Sequence, residues 1–344
     1  MSSLKNESNS IPKFQMDYGL WRGQFLEEDM AEYCEYDWGM RRFDSSVSTP
    51  CKTNQNIDCD KRQALEALRE LIPSRPDVEF LRTDDDFLMR FLHARKCNVQ
   101  DSFELLVNYY SYRQRNSQLF VQFSAQEEGI QQALRDGFPG VLPDRDRKGR
   151  CVLVIFTANW DHCAYSLVTI YRALLLSLEH LVEKPRNQVN GFVVVVDWSE
   201  FSFRQSSNLN PRILRLMIEG LQDCFPARFK GIHFTNQPWY VEGALTLIRP
   251  FLKEKTKEKI YLHGNNLSTL HDYVTKDILP AELGGEAPAY NPMVWANKLL
   301  ETSTRNSGVI FKSDSFSSKS TSKVDEEVVK NTSVKNGLVK VQEC

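Results

Sequence analysis

No stretch of this 344-residue sequence approaches the roughly 18 consecutive apolar residues that a membrane-spanning helix needs. Met1–Ser10 is polar and lacks the apolar core of a secretory signal, so the expected compartment is the cytoplasm. The eight cysteines (Cys34, Cys51, Cys59, Cys97, Cys151, Cys163, Cys224 and Cys344) are scattered and form no C-x-x-C pair. That pattern argues against a disulfide framework or a zinc site and for reduced thiols. Neither sign of charge dominates: the formal net charge is −2. The total therefore favours neither nucleic acid nor membrane, and any anion-binding function has to come from a local patch.

Catalytic signatures are missing as well. There is no G-x-G-x-x-G after a strand, no Walker phosphate loop, no G-x-S-x-G elbow and no H-E-x-x-H helix. The histidines His93, His162, His180, His233, His263 and His271 are dispersed and read as structural or surface groups. Cys224-Phe225-Pro226-Ala227-Arg228 is too short for a cysteine–phosphate loop, and Cys224 reads as a core thiol. Asp144, Asp146 and Asp161 could be imagined as an acid/base set, but 144–150 reads more simply as a solvated turn entering a strand. No enzyme activity, metal or cofactor is expected, and no nucleic-acid partner.

What is present divides into four parts. Residues 1–58 are rich in Ser and Asn, then in acids and aromatics, and read as a flexible arm. Residues 59–123 carry helical periodicity at Leu65, Leu68 and Leu71, then at Phe87, Leu88, Phe91 and Leu92, then at Phe103, Leu106, Tyr109 and Tyr110. Thr83 with Asp84, Asp85 and Asp86 marks a helix start. This part is a small all-α domain. Residues 124–301 alternate strand and helix: apolar runs at 152–156, 192–196, 231–234 and 260–263, with helical segments at 166–183, 211–223 and 238–257 between them. The alternation predicts an α/β domain with a largely parallel sheet flanked by helices. Residues 302–344, rich in Ser, Thr, Lys and Asn, read as a disordered tail.

The segment 238–257 is unusual. Pro238 suits a first helical turn, and Val241, Leu245, Ile248 and Leu252 form one apolar stripe. Trp239, Tyr240, Leu247 and Phe251 add apolar groups outside it. Two readings fit: a fully buried helix, or a lid with one face on an apolar ligand and the other on lipid or solvent. Gly243 and Pro250 are places where a lid could bend. Around it stand Arg228, Lys230, Arg249, Lys253, Lys255, Lys257 and Lys259 against Glu242, Glu254 and Glu258, a local excess of +4. At roughly 1 kcal/mol per net cation near an anionic bilayer, that excess is about 4 kcal/mol of attraction, weakened by salt. Taken alone, the run also reads as a solvated helix end.

Several motifs carry a resemblance. They are Phe91-Leu92-His93-Ala94-Arg95-Lys96, Gly137-Phe138-Pro139-Gly140-Val141-Leu142, Lys230-Gly231-Ile232-His233-Phe234, Arg249-Pro250-Phe251-Leu252, Leu262-His263-Gly264-Asn265-Asn266 and Leu279-Pro280-Ala281-Glu282-Leu283-Gly284-Gly285, together with the Cys224 segment. In this order they resemble the CRAL-TRIO lipid-binding family over roughly 61–300. Ala158–Asp161, Asp197–Phe203 and Asn236–Tyr240 narrow the likeness to the clavesin branch, near the tocopherol and retinaldehyde carriers. The resemblance implies a helical domain ahead of a CRAL-TRIO domain with a mobile gate helix, made here by the lid with Trp239, Tyr240, Leu247 and Phe251.

It also implies a site. The tocopherol carrier's phosphoinositide-binding positions fall on Arg95, Arg228, Lys230, Lys255 and Lys259, all basic here. The expected membrane partner is a phosphatidylinositol bisphosphate surface, with the 3,5-isomer implied by the family link alone. The expected location is peripheral, on endosomal, trans-Golgi or clathrin-coated vesicle membranes, and the clavesin likeness extends to clathrin or adaptor proteins as partners. One hydrophobic lipid is expected in a pocket lined by Leu174, Leu175 and Leu178 of a helix, Phe192 and Val194 of a strand, and Val241, Leu245 and Ile248 of the gate. Leu174 and Leu178 stand where the tocopherol carrier has serines, which implies a drier cavity. The function expected is a lipid carrier. The alternative is a phosphoinositide-sensing trafficking adaptor that transfers nothing.

Overall fold

The computed structural model describes residues 54–305. Residues 54–58, expected in the arm, and 302–305, expected in the tail, are helical, so the helices run past both expected boundaries; the rest of the arm and of the tail lies outside the described residues. The chain opens with three helices, α1 (Asn54–Leu71), α2 (Asp85–Ala94) and α3 (Val99–Arg115). Asp84 caps α2 by accepting from Phe87 N, and Asn98 caps α3 by accepting from Asp101 N. Phe87, Phe91 and Tyr109 meet edge to face, with Tyr109 5.8 Å from Phe87 and 5.4 Å from Phe91.

Next come α4 (Glu128–Arg135), β1 (Gly140–Arg145), β2 (Cys151–Phe156), α5 (Leu167–Leu181), α6 (Pro185–Asn190) and β3 (Phe192–Asp197). After these follow α7 (Phe203–Ser206), α8 (Pro211–Asp223), β4 (Phe229–Thr235), α9 (Trp239–Ile248), α10 (Glu254–Lys257), β5 (Ile260–Leu262), α11 (Leu267–His271) and α12 (Pro292–Arg305). The five strands form one sheet in chain order. β1 is antiparallel to β2, and β2 through β5 are parallel.

The four strands expected from apolar runs are present, and β1 is an addition. Its ladder to β2 shifts register between Val141 and Arg145, around Pro143. A proline cannot donate to a ladder, so it sits on an edge strand. The turn at 144–150 is only partly solvated: Asp146 is 5% exposed. It accepts from Lys148 N and Arg150 N and pairs with the Arg150 guanidinium. With its oxygens committed in this way, it has no part in an acid/base set.

Successive strand residues point to opposite faces of the sheet. Val152, Val154, Val193 and Val195 pack against Leu270, Val274, Ile278, Leu279 and Leu283. The other face joins the larger core through Leu153 and Phe192, and α1, α2, α3 and α5 contribute to that same core. Polar bonds tie the helical part to the α/β part. Glu179 of α5 accepts from Tyr109 Oη at 2.7 Å and pairs with Arg113. Tyr112 Oη and Tyr171 Oη lie 3.0 Å apart, and Tyr112 Oη donates to Leu216 O.

The segment 238–257 is not one helix. α9 ends at Ile248, Arg249–Phe251 forms a single 3-10 turn, Leu252 is extended, and α10 begins at Glu254. Pro250 removes a backbone donor within that turn, and the chain turns there rather than continuing as an α-helix. Gly243, the other expected bend point, stays within α9.

Candidate functional site

The unusual feature of the sheet is how one face is roofed. Val194 lies on the central strand, yet it is only half-buried while its neighbours Val193 and Val195 have no exposure. Ile232 and Phe234, on the same face of β4, and Ile155 on β2 are half-buried too. Helix α8 behaves similarly: Ile213, Leu214, Met217, Ile218 and Leu221 are all half-buried, and only Gly220 is buried. Central-strand and core-facing helix residues ordinarily close on one another at near-crystalline density. Here the cover leaves apolar surface accessible.

Helix α9 lies against α7 and α8. Only Val241 of it is buried, while Leu245 and Ile248 are half-buried. Trp239 is 76% and Leu247 68% exposed, and Phe251, in the turn that follows, is 41% exposed. Trp239 stacks on the exposed Phe203 of α7 at 6.2 Å. Tyr240 is half-buried and donates to Phe201 O. Of the two readings of this helix, full burial is excluded.

The expected pocket residues divide. Leu174, Leu175, Leu178, Phe192 and Val241 are at most 8% exposed and packed within the core. Val194, Leu245 and Ile248 keep accessible surface. The α8 residues were not expected at the pocket. Their stripe at helical spacing was visible, but which helix roofs the sheet depends on long-range packing. Also unforeseen is Trp198, just beyond β3. It packs on Phe201 at 4.9 Å and Phe234 at 5.6 Å, and its Nε1–H is buried with no hydrogen-bond partner among the described residues. A buried donor left without an acceptor costs about 1–3 kcal/mol.

The end of β3 is polar. Asp197 is 7% exposed, and its Oδ1 accepts from Ser199 Oγ, Thr235 Oγ1 and Asn236 Nδ2 at 2.8–3.1 Å. These donors account for a carboxylate in a buried position. Cys224 is a core thiol, pushed up to about 12 by burial.

The basic residues gather at the opposite edge, where the parallel strands begin. Gly191 (φ 77°) lets the chain pass close to Arg228, and Phe192 N donates to Arg228 O at 2.8 Å. Arg228 itself donates to Val189 O of α6 at 3.2 Å, and burial lowers its guanidinium from the usual arginine range. Lys230 follows on β4. Lys259 immediately precedes β5, and its carbonyl accepts from Ile232 N at 2.8 Å. Lys255 is exposed on α10. Arg95 caps the end of α2 and is linked to the same edge through α6, because His93 Nδ1 lies 2.6 Å from Gln188 Oε1. Arg228, Lys230 and Lys259 thus stand where β4 and β5 begin, Lys255 lies on the short helix that precedes β5, and Arg95 ends the helix whose His93 meets α6. Two neighbouring lysines are engaged: Lys253 pairs with Asp223, and Lys257 with Glu254 at 2.6 Å. Asp223 was outside the linear count, and it lowers the local excess from +4 to +3.

A five-stranded sheet with one antiparallel edge, a helical part packed into its core and an apolar helix laid on α7 and α8 match the CRAL-TRIO architecture, that of a lipid-binding class. Residues 135–285 match the CRAL/TRIO domain model, and the chain belongs to that family. Among its relatives, human Clavesin-2 is 54% identical over 248 residues, covering 72% of this chain and 76% of that protein. Clavesin-1 of Rattus norvegicus is 50% identical over 290 residues, covering 84% and 80%. A crystal structure of Sfh5 superposes with a TM-score of 0.45 at 14% identity, over 74% of this chain and all of that one. The family assignment rests on the sequence relatives. Among the described residues, no helix is long and apolar enough to cross a membrane.

Proposed function

We propose that this protein holds one hydrophobic lipid between the sheet and helices α8 and α9, and exchanges it at membranes bearing a phosphatidylinositol bisphosphate. The observation that carries the reading is the doubly apolar α9: it rests on α7 and α8 beside a half-buried apolar sheet face while presenting Trp239 and Leu247 outward. Such a helix suits a gate that meets lipid on both sides. Val194, Leu245 and Ile248, with the α8 residues, would contact the ligand. The Trp198 Nε1–H would bond an acceptor at its polar end. Leu174, Leu175, Leu178, Phe192 and Val241 would support that wall from behind.

Docking is assigned to Arg95, Arg228, Lys230, Lys255 and Lys259. Charge-assisted contacts to phosphate exceed neutral hydrogen bonds, and an excess of +3 corresponds to about 3 kcal/mol at an anionic surface. The 3,5-isomer, endosomal, trans-Golgi or clathrin-coated vesicle membranes, and clathrin or adaptor proteins as partners belong to the same reading by family likeness. The test combines mass spectrometry of co-purifying lipid with flotation on vesicles containing phosphatidylinositol 3,5-bisphosphate. The expected result is one lipid per chain, and vesicle binding that falls at least tenfold in Lys255→Ala/Lys259→Ala while lipid loading is kept. Vesicle binding without any lipid loading or extraction would replace the carrier with a phosphoinositide-sensing adaptor. Unchanged binding of the double variant at physiological salt would return the lysines to a solvated helix end.

A further inference from the structure

A second group of cations lies on the same edge of the sheet, on the far side of α6. A cleft of about 250 Å³ opens between β1, the start of β2, the end of α5 and α12. Its apolar floor includes Cys151, Leu181 and Trp295, all buried. Three cations converge on it: Arg145, Lys184 and Lys298. Arg145 ends β1 opposite Cys151. Its guanidinium is fixed by two neutral acceptors, Gly149 O at 2.9 Å and Asn187 Oδ1 at 2.6 Å. Lys298 sits 5.7 Å from the Trp295 ring and beside Lys184.

No ion pair engages any of the three among the described residues. Asp146, the acid that feels Arg145, is committed to Arg150. The crowding has an electrostatic signature. The Lys184 ammonium is lowered from its ordinary value by burial, then by Lys298 and Arg145. His180 is lowered by burial, then by Lys298 and Lys184. Like charges that converge without a counterion repel one another, and an anion in the cleft would relieve that repulsion.

We propose that this cleft binds a phosphate group, held by Arg145, Lys184 and Lys298, at a site separate from the docking patch. Phosphate fits better than carboxylate by charge. Three cations against Asp144 at the rim leave +2, which a phosphomonoester dianion neutralises and a carboxylate only halves. The site is distinct because α6 stands between the two groups: its Asn187 holds Arg145, while its Val189 carbonyl holds Arg228. The phosphate belongs either to a soluble inositol phosphate or to a second lipid headgroup. In the latter case the protein would grip a membrane at two points on one edge.

The test is calorimetric titration of the full chain with inorganic phosphate and with a soluble inositol bisphosphate, at constant ionic strength. Lys184→Ala/Lys298→Ala should weaken binding by about tenfold per lysine removed, while Lys255→Ala/Lys259→Ala should leave this site within about twofold of wild type. Both lysines of the first pair are exposed and unpaired, so urea unfolding should show the variant folded; Lys298→Gln is the fallback. Vesicle flotation then assigns the source. Loss of vesicle binding in Lys184→Ala/Lys298→Ala identifies a lipid headgroup, and retained vesicle binding identifies a soluble phosphate. Equal phosphate affinity in wild type and this variant, no binding by wild type, or loss confined to the Lys255/Lys259 variant overturns the proposal.

Discussion

Gly220 should be the position where the smallest change does most damage. Helix α8 meets α3 and α5 at this residue, which is buried. A Cβ there would stand 2.9 Å from Tyr112 Oη and collide with Tyr171 Oη. Neither tyrosine can swing away: they are 2% and 0% exposed, bonded to each other, and Tyr112 is bonded to Leu216 O. Gly220→Ala gains about 1 kcal/mol of helix propensity. Against this stand about 1–3 kcal/mol for overpacking and about 1–3 kcal/mol for a buried hydroxyl that loses its partner. The expected net loss is about 3 kcal/mol, read from the urea midpoint at unchanged slope. Gly243→Ala is the matched control. An added Cβ there meets nothing within 4 Å, so the same substitution should stabilise by up to about 1 kcal/mol. A Gly220→Ala protein as stable as wild type would refute the claim that α8 is seated by this close approach.

Three further outcomes are expected. Burial, then His263 and Arg150, hold His233 down to about 3. The unfolded chain therefore takes up a proton near pH 6.5 that the folded chain refuses. Stability should be unaffected above that pH and fall by about 2 kcal/mol by pH 5. His233→Gln should reduce the steepness of that limb of a urea-midpoint profile, leaving the contributions of His93, His180 and His263, which burial also lowers; a parallel profile would contradict the assignment. Val194→Trp should fill the space over the central strand and reduce co-purifying lipid several-fold with little loss of stability, whereas a strongly destabilised variant would mean that the space is already filled. Trp198→Phe removes an unsatisfied buried donor, so the lipid-free protein should be as stable or more so, while ligand affinity falls about tenfold; unchanged affinity would mean that no ligand atom reaches Nε1.

The sequence announced β2 and β3 most clearly, because they are buried on both faces over most of their length and read as unbroken apolar runs. β1 was hidden for the opposite reason: it is an edge strand with Pro143, Asp144 and Arg145 in its second half, and their side chains look like a turn. The apolar excess of α9 was legible, but its end at Ile248 was not, since Pro250 is equally compatible with a bend or a break. The proposed docking cations could be named only through family likeness, because Arg95 ends α2 and Arg228 precedes β4, far apart in sequence, and nothing local marks them as a set. Arg145, Lys184 and Lys298 carry no motif at all; topology alone assembles them.

Helix α9, the proposed gate, and the proposed docking lysines are joined twice. One path runs along the chain through Arg249–Phe251. The other runs through the end of α8, where Gln222 Oε1 accepts from Lys253 N at 2.8 Å and Thr256 Oγ1 at 3.0 Å, and Asp223 pairs with Lys253. Because α9 also rests on α8, a pull on Lys255 and Lys259 by a headgroup would be opposed by these same bonds. Their strength can be bounded. Lys253 is 64% exposed in its ion pair, a setting worth about 0–1 kcal/mol. Each neutral bond to Gln222 adds about 0.5–1.5 kcal/mol. The anchor therefore totals about 1–4 kcal/mol, against about 3 kcal/mol from the cationic excess. The two are close enough that headgroup capture would shift the gate without locking it. Linkage then requires the reverse effect: an enclosed lipid that holds the gate closed must weaken headgroup affinity by the same factor. Gln222→Ala, which loosens the anchor and touches neither ligand, should reduce that coupling while leaving the lysines in place. Lipid-loaded and lipid-free protein would then bind phosphoinositide vesicles more nearly alike than in wild type, and an undiminished difference would place the coupling elsewhere.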